Sequence, residues 1–188
     1  MPLPVPDVER ELTHTRLVRF EGFRRSDGLW DIEGHLLDTK SHDYALQTGV
    51  RRAGGPIHDM RLRLTVDAAY NVLDSIARSD AVPYPGGCEA YGDAYRALVG
   101  LNLLKGFRLR AMERLGGVRG CTHLTEMLAG FPTAAVQTFA GEQGEDRDDG
   151  GKPFQIDQCH ALASGSETVR KHYPKWHRTD DAGIAPRT

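Results

Sequence analysis

Alternation of apolar and polar positions governs the first part of the chain. Within residues 15–34 two extended runs flank Ser26-Asp27-Gly28, a hairpin turn in which glycine supplies the left-handed backbone. In the second run Trp30, Ile32, Gly34 and Leu36 share one parity, and Asp31, Glu33 and His35 share the other. Side chains alternate across a strand, so this spacing predicts one core face and one polar face. The clearest strand follows, with Met60, Leu62, Leu64 and Val66 alternating with Arg61, Arg63 and Thr65. A turn over residues 67–71 leads to a partner strand over residues 72–78. Together these runs predict an antiparallel sheet of about four strands over residues 16–78. Residues 41–56, with Gly49, Gly54, Gly55 and Pro56, carry no clear period and read as a loop over the sheet.

The period changes after Val82-Pro83-Tyr84-Pro85-Gly86-Gly87. Tyr91, Tyr95, Leu98 and Val99 form one helical stripe, and Phe107, Ala111 and Leu115 form a second. A third helix starts at Thr122, which can cap it, and runs towards Phe139 with a break near Gly130-Phe131-Pro132. Helices over residues 89–139 are expected on one face of the sheet, with Met60, Leu62, Leu64, Leu98, Phe107 and Leu124 among the most buried side chains. Strands first and helices later make the fold class α+β. Residues 1–140 form the main domain in this reading. Residues 141–152 are an acidic, Gly-rich linker expected to be mobile, and residues 153–188 are a C-terminal segment packing back on the domain. The last dozen residues are expected to be unstructured.

Composition adds exclusions. A net charge of −2 gives no electrostatic reason to expect nucleic acid. No apolar run approaches a membrane span, and the first residues, MPLPVPDVERE, lack the basic and apolar regions of a signal peptide. Cytoplasmic location is the expectation. Cys88, Cys121 and Cys159 are widely spaced, so they suggest free thiols rather than a disulfide framework. There is no GxGxxG after a strand, no Walker loop, no GxSxG elbow and no HExxH helix.

Chemistry-bearing residues gather at element ends. His35, Asp38 and Lys40 stand where the second strand runs out, and could supply base, orienter and electrophile for proton transfer. His58 and Asp59 open the Met60 strand; parity puts His58 with the core face and Asp59 opposite. In Arg119-Gly120-Cys121-Thr122-His123-Leu124-Thr125-Glu126, Cys121 sits at a helix start, where the macrodipole favours thiolate. His123 and Glu126 share a helical face three residues apart, so they could bind a metal, or Glu126 could orient His123. Bland alternatives exist for each: turn formers, a satisfied core histidine, a surface pair. Cys159-His160 carries less. The geometric expectation is that His58, Cys121 and His123 meet within a single concavity between sheet and helices, with His35 or Lys40 completing its wall.

The strings LWDIEGHLLDTK, PIHDMRLRLTVD, GGVRGCTHLTEML and DQCHAL resemble a bacterial family known as domain of unknown function 2889, across nearly all of residues 10–178. That resemblance implies little about activity beyond an association with aromatic-compound catabolism. A fainter likeness is to the iron–sulfur cluster scaffold fold, in which strands precede helices. Cys88 and Cys121 take comparable places, but the scaffold's cysteine before the long strand is missing here.

Together these features point to a cofactor-independent, lyase-type enzyme. It would act by acid–base chemistry on a small molecule, with deformylation of a lignin-type compound as one example. His58 or His123 would be base, Asp59 or Glu126 its partner and Lys40 an electrophilic donor, with His35 and Asp38 in reserve. The alternatives are a zinc or iron(–sulfur) carrier using Cys88, Cys121, His58 and His123, and a non-catalytic ligand-binding domain. Partners are limited to a small-molecule substrate and, compatibly, further copies of the chain.

Overall fold

The computed structural model describes residues 3–140 and 151–179, which fall into two compact units divided after Phe139. In the first unit, the strands β1 (His14–Arg24), β2 (Trp30–Lys40), β5 (Pro56–Val66) and β6 (Val72–Ala81) form one antiparallel sheet in the order β1-β2-β5-β6. The β1–β2 hairpin turns where expected. Gly28 has φ +83°, and the Asp27 carboxylate accepts the Leu29 amide at 3.2 Å. The period-2 pattern of β2 and β5 is realised: Ile32, Leu36, Met60, Leu62 and Leu64 are all buried on one face.

Residues 41–56 differ from the expected loop. They hold a second, two-stranded hairpin, β3 (Tyr44–Leu46) and β4 (Gly49–Arg51), closed by a two-residue turn with Leu46 opposite Gly49. Three-residue strands are too short for alternation to register in sequence.

The helical layer covers the core face. A 3-10 helix (Glu89–Leu98) lies on β6 and is followed by α1 (Phe107–Leu115), α2 (Thr122–Met127) and α3 (Phe131–Phe139). The expected stripe Tyr91–Tyr95–Leu98–Val99 assumed an α-helical period. With three residues per turn, Tyr95 and Leu98 share the buried side, while Tyr91 and Val99 rotate outwards and are exposed. Phe107, Ala111 and Leu115 are the buried stripe of α1, as predicted, and Leu98 and Leu124 are buried too. The chain breaks between α2 and α3 near Gly130, but the residue at the N-cap of α2 is Cys121, with Thr122 already helical.

Gly34 explains how closely the layers approach. A Cβ there would lie 3.0 Å from Met127 Sδ and from the Phe131 ring, so glycine at this core-parity position lets α2 and α3 pack closely without displacing either side chain. Phe131 also meets Phe20 of β1 edge-on, ring centroids 5.1 Å apart.

The second unit contains α4 (Glu167–His172), capped by Ser166, whose hydroxyl accepts the Val169 amide at 3.2 Å. Ile156 and Val169 are its buried apolar side chains. The expected linker lies almost wholly outside the described residues, as do the last residues of the chain.

Candidate functional site

The core parity of β2 runs on past Leu36 to Asp38, so a carboxylate occupies a position where the pattern asks for an apolar side chain. Asp38 is 2% exposed. An unpaired charge at that depth would cost several kcal/mol, so the partners decide its fate. Arg16 of β1 forks onto it, Nε to Oδ1 and a terminal nitrogen to Oδ2, both at 2.8 Å. From the other side His58 Nδ1 lies 2.9 Å from Oδ2, and His14 Nε2 stands 3.4 Å from Oδ1. Strand register produces this set. Arg16 pairs with Asp38 across β1–β2, and Asp38 pairs with His58 across β2–β5, so all three side chains leave one face as nearest cross-strand neighbours.

Burial pushes the Asp38 carboxyl up, but the Arg16 and His58 hydrogen bonds outweigh it and hold the group below the usual carboxylate range. The hydrogen bond to Asp38 raises the Arg16 guanidinium in turn. An ionised carboxylate can only accept, so His58 Nδ1 must donate. In a neutral ring the lone pair then sits on Nε2.

The helical layer supplies the rest. Cys121 is extended at the N-cap of α2, and His123 lies in that helix's first turn. The His123 ring stacks on His58 with centroids 3.8 Å apart and planes tilted by 34°. Cys121 Sγ is 3.8 Å from His123 Nδ1 and 3.9 Å from Met60 Sδ. Burial raises the thiol, yet His123 and then the Leu124 and His123 amides outweigh it, so Cys121 titrates below a free thiol. Tyr95, wholly buried, pins this corner: its hydroxyl accepts the Cys121 amide at 3.2 Å and lies 3.0 Å from the Cys121 carbonyl and 2.9 Å from Thr125 Oγ1. Burial pushes the Tyr95 phenol up to about 12, so it serves here as a neutral hydrogen-bonding group.

The structure thus brings His58, Cys121 and His123 together, as their positions in sequence suggested. Four placements differ from expectation. Asp59 does not serve His58: it emerges on the opposite face, where His35 Nε2 meets it at 2.7 Å and Arg61 at 3.6 Å. Glu126 does not orient His123; it is 63% exposed and reaches Arg16 at 3.4 Å, drawn by the nearest full positive charge. His35, Asp38 and Lys40 do not converge: His35 has the parity opposite to Asp38, and the Lys40 ammonium sits 5.4 Å over the Tyr44 ring. Cys88, at the start of the 3-10 helix, packs against the core. Among the described residues, the group whose ligand atoms lie within 4.8 Å of one another is Asp38, His58 and His123.

Arg16 and His14 are members of the Asp38 cluster that sequence reasoning passed over. A signal for Arg16 existed: it and Asp38 each stand eleven residues from Asp27, so a symmetric hairpin pairs them.

A sheet-and-helix domain built round a buried carboxylate–imidazole pair is the class this defines. Residues 14–137 match the family model described as Protein of unknown function (DUF2889), and the chain belongs to that family. The match takes in every residue of the cluster. No curated protein and no solved structure matches the chain. No helix among the described residues is long and apolar enough to cross a membrane.

Proposed function

We propose that the chain is an acid–base enzyme of lyase type, with His58 as general base, acting on a small organic molecule. The observation that carries this reading is the Asp38 Oδ2–His58 Nδ1 contact of 2.9 Å, made by a carboxylate that Arg16 holds ionised. Such a carboxylate fixes the ring orientation and tautomer, leaves Nε2 free to take a proton, and stabilises the imidazolium that results. In this reading His123, stacked on the same ring with the Cys121 thiol beside it, returns a proton to the leaving group. The pair needs no resident cofactor to abstract a proton. Aromatic substrates of the lignin type come from the family resemblance and are part of the proposal only as a first panel to try.

The carrier reading has less support, since Cys88 is engaged in packing at the head of the 3-10 helix and the gathered ligand set holds no thiol.

The test is solvent-deuterium incorporation, and carbonyl release, across a panel of small carbonyl and phenolic compounds in the presence of a chelator. Exchange at carbon by the wild type, lost by at least about a hundredfold in His58→Gln, is the expected result for a general base. Equal exchange by His58→Gln would remove His58 from the mechanism.

A further inference from the structure

We infer that Asp38, His58 and His123 also form a binding site for one first-row divalent transition ion of the zinc class, and that this ion switches the proposed base off by reversing the tautomer of His58. The binding half stands on geometry alone; the switching half rests on the acid–base reading above.

Metal bonds to histidine nitrogen and carboxylate oxygen are about 2.0–2.2 Å long, so two ligand atoms on one tetrahedral ion lie roughly 3.4 Å from each other. Asp38 Oδ2 and His58 Nδ1 are 2.9 Å apart, so the pair must part by only about half an ångström to form one edge of that tetrahedron. His123 completes the set: one ligand atom from each of Asp38, His58 and His123 lies within 4.8 Å of the other two. Imidazole with carboxylate is a donor set suited to zinc and its neighbours. The ion replaces the proton held between Oδ2 and Nδ1. That proton leaves Nδ1 and the neutral ring carries its proton at Nε2 instead, so no charge is gained or lost on the ring. Nε2 was the base in the proposed reaction; as Nε2–H it can no longer accept.

Arg16 sets the strength of the site. Its guanidinium lies 2.8 Å from both Asp38 oxygens, so it competes for their lone pairs and opposes a dication beside them. Binding is therefore expected to be reversible and weaker than at a closed structural zinc site, which suits a regulatory occupant.

Cobalt(II) is the probe, added to the purified full chain after chelator treatment and followed by visible absorption, with zinc as competitor. One equivalent of cobalt should give a saturable band that zinc removes. His123→Ala should weaken binding at least about tenfold, as loss of a ligand must exceed the loss of a supporting residue. Arg16→Gln should tighten it, and Glu33→Gln, on the outer face beside Arg63, should leave it unchanged. Thermal melts and far-ultraviolet dichroism check that each variant is folded. Nitrogen-15 spectra of the His58 ring supply the second readout: Nδ1–H under chelator, Nε2–H with zinc. No saturable band in the wild type, a band indifferent to both His58→Ala and His123→Ala, or Nδ1–H retained under zinc overturns the inference. Deuterium exchange under chelator reports on the base alone and the cobalt band on the metal site alone, so failure of one is distinguishable from failure of the other.

Discussion

Two carboxylate–imidazole pairs bridge the same two strands from opposite faces, and they are not equivalent. On the helix side Asp38 meets His58 at 2.9 Å; on the outer face Asp59 meets His35 at 2.7 Å. By distance alone the outer pair is the tighter. Its carboxylate, however, is 22% exposed against 3% for Asp38, and it shares Arg61, which also reaches Asp80 at 3.1 Å. Around it lie other surface pairs, such as Arg63 with Glu33, each open to water. The inner pair has a two-point arginine fork, direct cross-strand register and a second imidazole stacked on it. Contact length therefore does not rank these pairs. Removal from water does, because it raises both the cost of losing a partner and the value of an oriented ring.

The largest expected effect breaks the comparison at its strong end. Asp38→Ala leaves Arg16 and His58 without their shared carboxylate, and should cost about 3–5 kcal/mol of stability in denaturant unfolding. Asp59→Ala should cost less than about 1 kcal/mol. Equal losses would mean that the two faces are energetically alike and that burial at Asp38 does not matter.

Much of the fold and part of this contrast were legible in sequence. Parity in β2 and β5 separated the core face from the polar face, and it put His58 and Asp59 on opposite sides. The same parity, carried two residues past Leu36, identifies Asp38 as an inward carboxylate; grouping it with His35 and Lys40 by proximity in sequence concealed this. Lines of register, which depend on the Asp27 turn, were needed to find Arg16. The stacking of His123 on His58 was foreseeable only as a neighbourhood. Which atoms meet depends on how near Gly34 lets α2 approach, a matter of packing rather than pattern. The 3-10 geometry of residues 89–98 was illegible because Tyr95 and Leu98, three apart, also fit an α-helical stripe, and the β3–β4 hairpin because its strands are only three residues long.

Gly34 gives the next largest effect. Gly34→Ala pushes a methyl against Met127 and Phe131 at 3.0 Å, and overpacking of that kind should cost about 1–3 kcal/mol. Glu33→Ala, one residue away on the outer face, should stay within about 1 kcal/mol even though it removes the partner of Arg63. Thermal unfolding of both variants measures the difference between faces directly. A Gly34→Ala protein as stable as the wild type would show that the helical layer is not held against β2 at that point.

Acid should erode the inner pair in a defined direction. The Asp38 carboxyl is lowered from its ordinary 3.8, so its extra stabilisation is fully present above that value and is lost as pH falls through the lower folded one. The stability gap between wild type and Asp38→Asn should therefore be widest near neutrality and narrow below roughly pH 4. A gap that widens on acidification would reverse the sign of the shift.

The smallest effect tests the weak end of the comparison. A double-mutant cycle on His35 and Asp59, each to Ala, isolates their coupling from whatever else each side chain does. Because both are 22% exposed, water competes for the same hydrogen bond, and holding two side chains in one geometry costs entropy that the pair must offset. The coupling should fall at about 0.2–1 kcal/mol and shrink as salt rises, since exposed charges are screened over about 10 Å at moderate ionic strength. The corresponding cycle on Asp38 and His58 should exceed it and respond little to salt, because Asp38 is sealed beneath the helices. If the outer cycle returned a salt-insensitive coupling as large as the inner one, the outer pair would have to be counted as a second structured carboxylate–imidazole site. The asymmetry that singles out His58 as the base would then be gone.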